Sequence, residues 1–126
     1  MRFAIACIHG WAHSQLNVPL ERWQQAFVIG VITIAPLVCL PFLWTRFRRQ
    51  AAGFATCCLA AGLVFGLYFH FVQDSPDHVA HVAHGPARTL FVSTAALLIV
   101  IESAGMLICA RMWWRLRPGR QVSVVA

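Results

Sequence analysis

The stretch HVAHVAH places His78, His81 and His84 within seven residues of a chain that has six histidines in all. Imidazole suits zinc, copper and nickel, and ligands three or four residues apart on a helix can meet one ion. Ser75-Pro76 is a helix start and Gly85-Pro86 a stop, so a short amphipathic helix is predicted over 76–84. At about 100° per residue the three imidazoles fan over about 120° of one face. Asp77 falls inside that fan, and Val79, Val82 and Ala83 lie opposite. His81 and His84, helped by Asp77 or His78, form the core of the expected metal site. His9 and His13, four residues apart, and His70 are its further ligands. Two other readings share these residues. An amphipathic ring sits easily at headgroup level, and histidine, titrating near 6.5, can make a surface pH-responsive.

Thiols form a second set. Cys39, Cys57 and Cys58 lie about 8 to 10 Å from one end of their apolar stretches, and Cys109 lies near the same end of the last one. They are candidate soft-metal ligands, or simply small, easily buried apolar side chains. Glu102 lies about 12 Å from the end of its stretch, near mid-membrane. A charge there must be neutralised, paired or turned inward. Its neighbours on the same helix include no base, so a subunit lock or a relay is expected of it. Gly62 and Gly66 make a GxxxG that permits close helix approach.

The elements that must position these groups are membrane helices. Of the 126 residues, 60% are hydrophobic and 11% charged, far from a soluble composition. Three stretches, 26–44, 51–72 and 89–110, each supply about the 20 apolar residues that cross a bilayer as a helix. The expected fold is therefore an all-α integral membrane protein with three transmembrane helices plus the short helix at 76–84. It forms a single membrane domain over 1–126. Residues 1–25 are expected to lie on the outer surface, with Trp11 and Trp23 as anchors, and 111–126 to form a cytoplasmic tail. Pro36 and Pro41 should bend the first span.

Ten arginines and no lysine face four acids. Seven of the ten, at 46, 48, 49, 111, 115, 117 and 120, fall on one side of the membrane. The positive-inside bias puts that side in the cytoplasm, with the N-terminus outside, in a bacterial inner membrane. All six histidines then lie on or near the outer side. The basic balance is accounted for without nucleic acid as a partner.

No nucleophile is paired with a base, and there is no phosphate-binding glycine loop and no spaced carboxylate pair, so an enzyme is not expected. Two classes remain. One is a small accessory, assembly or structural subunit of a membrane complex, associating with other membrane subunits or with itself. Its histidine-rich outer loop would bind a transition metal (copper, zinc or nickel). The other is an oligomeric transporter or delivery protein for copper, zinc, nickel or mercury, using outer histidines and inner cysteines.

Overall fold

A computed structural model describes residues 1–117. It is all helical. Four helices follow in order: α1 (Arg2–Gln15), α2 (Arg22–Phe42), α3 (Arg48–Val72) and α4 (Pro86–Arg115). The last three are long and apolar enough to cross a membrane, as composition requires. At about 1.5 Å per residue, the 30 residues of α4 are longer than a hydrocarbon core of roughly 30 Å requires.

Local chemistry fixes the helix ends. After α1, Asn17 takes a left-handed φ of 50° and Pro19 follows, a turn that asparagine tolerates and a helix cannot continue through. Glu21 and Gln24 form a reciprocal capping box that starts α2. Gly85, at φ 150°, and then Pro86 start α4. Within α2, residues Val28–Ile34 run in the wider π register just ahead of Pro36. Proline has no N–H for the Ile32 carbonyl and its ring crowds it; in the same stretch the Thr33 hydroxyl donates to the Val28 carbonyl at 2.9 Å. The end of α3, Tyr68–Val72, is also π-helical and turns His70 inward.

Helices α3 and α4 form the central pair, with α1 packed on α4 and α2 packed on α3. Small residues make the contact. Ala51, Ala52, Ala55, Cys58 and Gly62 of α3 are buried, while Phe54, Val64, Val100, Leu107 and Ile108 face outward. An apolar exterior of this kind is stable only in lipid.

Two stretches differ from expectation. Residues 76–84 are a chain of turns rather than a helix. Three-residue bonds close two of the turns, His78 N–H to the Ser75 carbonyl and His81 N–H to the His78 carbonyl. Between them, Val79 N–H goes to the His70 carbonyl at the end of α3, which takes the backbone out of any helical ladder. Burial of Asp77 and Val82 on the bundle draws the loop inward. The second stretch is the N-terminal one, where α1 lies along α4 instead of on a surface. Arg2 meets Glu102 and His9 meets Thr94, so α1 runs antiparallel to α4.

Candidate metal centre

The site assembles at one end of the bundle, from α1, α3 and the turn between α3 and α4. Helical spacing puts His9 and His13 on the face of α1 that meets α4, and His70 comes from the π turn ending α3. Ligand atoms of these three histidines all lie within 4.8 Å of one another, a group that could hold a metal ion. Phe91 of α4, fully buried, forms the floor: the His9 ring stacks on it at 5.0 Å, and those of His13 and His70 meet it edge-on.

The hydrogen-bond network assigns the tautomers. Nδ1 of His70 faces two acceptors of Asp77, the main-chain carbonyl at 3.2 Å and Oδ1 at 3.3 Å. Neither can donate, so Nδ1 carries the proton. The Thr94 hydroxyl donates its one proton to the Leu90 carbonyl at 2.6 Å and therefore accepts from His9 Nδ1 at 2.9 Å. With both rings neutral, the two Nε2 atoms present lone pairs to each other at 3.2 Å. Two lone pairs that close call for a cation between them, a proton on one ring or a metal ion. A proton is a poor candidate on His9, whose pKa is pushed down to about 3, first by burial and then by His13 and His70.

His13 is also held below its ordinary value, chiefly by burial, with Asp77 acting the other way. Its Nε2 lies 3.5 Å from Asp77 Oδ1. Burial pushes the Asp77 carboxyl up, but His70, then His13 and His9, more than offset it and hold it below the usual carboxylate range. Neither carboxylate oxygen of Asp77 has a hydrogen-bond donor of good geometry. A ligating histidine whose other nitrogen donates to a carboxylate, a backbone carbonyl or water is the usual support of a metal site. His70 Nδ1 has that form toward the Asp77 main-chain carbonyl, and His9 Nδ1 is held in a similar way by the Thr94 hydroxyl.

The structure does not bring His78, His81 and His84 together. His78 and His81 are neighbours, with ring centroids 5.0 Å apart. His78 Nδ1 accepts the Ala80 N–H, and exposed His81 lies 3.1 Å from Asp74. His84 is exposed and joins no ligand group with them. Among the described residues, cysteines join no ligand group: Cys39 and Cys58 are buried, Cys57 is exposed and Cys109 half-buried.

A cavity of about 220 Å³ leads from His9, His13, His70 and Asp77 along the bundle to Glu102. Glu102 has a partner that its own helix lacks, Arg2 of α1, whose Nη2 donates to Oε1 at 2.8 Å. The carboxylate rests on Gly62, where a Cβ would come within 2.8 Å of Oε2. Gly62 is thus the glycine that the close approach requires, whereas a Cβ at Gly66 would meet nothing within 4 Å.

No family model, curated protein or solved structure matches this chain.

Thr94 and Arg2 were not among the residues singled out from sequence. A helical wheel of residues 2–15 places Arg2, His9 and His13 on one face, and that was the signal available for Arg2. Thr94 gives none, since nothing local separates it from Ser93 or Thr89.

Proposed function

We propose that this chain is a membrane-embedded metal-binding protein of the accessory class, holding one transition-metal ion through His9, His13 and His70. Asp77 and Thr94 orient the rings. Copper, zinc and nickel fit an all-imidazole donor set with a carboxylate behind it. The observation that carries the reading is the convergence of His9, His13 and His70, whose ligand atoms all lie within 4.8 Å of one another. Three protein donors that line the cavity would leave a bound ion room for a further ligand. Orientation follows from the arginines, with the metal end outside and the arginine end in the cytoplasm of a bacterial inner membrane.

Holding is favoured over passage. A transporter would need Glu102 free and a thiol group beyond it, but Glu102 is tied to Arg2 and the cysteines form no ligand group among the described residues. An accessory role, storing the ion or presenting it to a membrane partner, needs neither.

The test is metal content of the full chain purified in detergent from cells supplied with copper, zinc or nickel. We expect about one ion per chain, lost in His9→Ala and His70→Ala and kept when His78, His81 and His84 are all changed to alanine. An ion lost only in that triple variant would move the site to the loop. Metal-free protein under every supply would refute the reading.

A further inference from the structure

At the arginine end, far from the histidines, the turn after α2, the start of α3 and the end of α4 line a second concavity whose chemistry the metal site does not use. Its floor is apolar, made by Leu43, Ile108, Met112 and Leu116, and its rim carries Arg48, Arg111 and Arg115. Arg111 and Arg115 are one turn apart on α4, hence on the same face, and Arg48 reaches the groove from the start of α3.

The remaining arginines of this end that lie among the described residues are already engaged with rings. Arg46 lies over Phe47, Arg49 over Trp113, and Arg117 over Trp113 and Trp114. The three on the groove have neither ring nor carboxylate partner among the described residues. All three are exposed, and the described ion pairs of the chain lie elsewhere. Three guanidiniums without a ring or carboxylate partner among the described residues therefore line one groove at the end of a candidate membrane helix, beside an apolar strip that includes Ile108.

We propose that this groove binds an anionic phospholipid, its phosphate held among Arg48, Arg111 and Arg115 and an acyl chain lying along Leu43, Ile108 and Met112. Guanidinium pairs in-plane with two phosphate oxygens, and basic pockets between membrane helices take acidic headgroups. Charge complementarity excludes zwitterionic lipid as the preferred occupant. The apolar floor distinguishes lipid from free phosphate. Metal binding at the other end is not required.

Native mass spectrometry of the full chain in neutral detergent, with phosphatidylglycerol and phosphatidylcholine of the same acyl chains at equal concentration, tests this. We expect retention of phosphatidylglycerol over phosphatidylcholine, falling roughly fivefold for each arginine removed and absent in the triple variant Arg48→Gln, Arg111→Gln, Arg115→Gln. The double variant Arg22→Gln, Arg46→Gln, outside the groove, should keep the preference. Arg111→Gln alone gives the same answer should the triple variant not elute as a folded species. Equal retention of both lipids by the parent, or a preference surviving in the triple variant, overturns the proposal. So does displacement of the lipid by inorganic phosphate at the same concentration, which would reduce the groove to an anion site.

Discussion

Replacing Glu102 by leucine should be the most damaging single change in the membrane interior, and adding Arg2→Met should repair it. Arg2 Nη2 and Glu102 Oε1 are 2.8 Å apart, with side chains only 18% and 6% exposed. At an effective dielectric constant near 20, that separation corresponds to about 6 kcal/mol of attraction. Desolvating each ion costs several kcal/mol, so the intact pair is close to neutral in net stability. Removing one partner is different, because the other charge stays buried. Glu102→Leu should therefore cost about 3 to 5 kcal/mol. Arg2→Met should cost less, since a stranded carboxylate can take up a proton and a guanidinium cannot. The double variant, with two apolar side chains of similar volume, should return to within about 1 kcal/mol of the parent. Tryptophan fluorescence during unfolding in mixed micelles measures all four proteins as one thermodynamic cycle. A double variant as unstable as the sum of the singles would show that the two residues are not coupled, and the docking of α1 would need another cause.

Three further outcomes follow from the same geometry. Asp77→Asn keeps an acceptor beside His70 but removes the charge, and metal affinity should fall about 10- to 100-fold by competition with a chelator; unchanged affinity would remove Asp77 from the site. Gly62→Ala should cost about 1 to 3 kcal/mol because its Cβ meets the Glu102 carboxylate at 2.8 Å, whereas Gly66→Ala, opening onto free space, should be neutral or slightly stabilising in the same unfolding assay. In metal-free protein, stability should fall as pH drops below about 6.5, because the unfolded chain protonates His9 and His13 while the folded site resists, each contributing up to about 1.4 kcal/mol per pH unit. Asp77 acts in a lower window: its depressed pKa adds stability above about 3.9 that is lost only as pH falls further. A flat profile between pH 7 and 5 would contradict the neutral, buried imidazoles.

Hydropathy alone locates the three spans, since lipid leaves a backbone no alternative to helix, and the spans of the structure overlap all three expected stretches. The His9, His13 and His70 group was nameable as a set of ligands but not as the centre. The pattern of HVAHVAH is stronger locally, yet its backbone bonds go to His70 and to short turns, and it is Asp77, Val82 and in part Val79, not the three histidines, that turn into the bundle. Local periodicity cannot register a hydrogen bond from Val79 to a residue on another helix. Glu102 was legible as a residue needing a partner; its identity was not, because Arg2 is 100 positions away. Recognising α1 as a packed helix was the missing step, and its large apolar residues Phe3, Ile8 and Trp11 point the other way.

That inversion bears directly on function. Along α1, Phe3, Ile8 and Trp11 are exposed, while Arg2, His9 and His13 turn toward α4. In lipid there is no hydrophobic drive between helices, so α1 is held by what its polar face contacts: Glu102 near one end, Thr94, His70 and Asp77 near the other. A metal ion shared by His9 and His13 of α1 and His70 of α3 would clamp the same interface. By linkage, an ion at about 1,000 times its dissociation constant adds about 4 kcal/mol to the docked state. Hydrogen exchange of the α1 amides should therefore slow on metal addition and speed up with chelator, while the α3–α4 contact around Ala52 and Ala55 changes little. Exchange in α1 that ignores a bound ion would mean that the ion does not bridge the helices, and the three-histidine centre would have to be abandoned even with metal present.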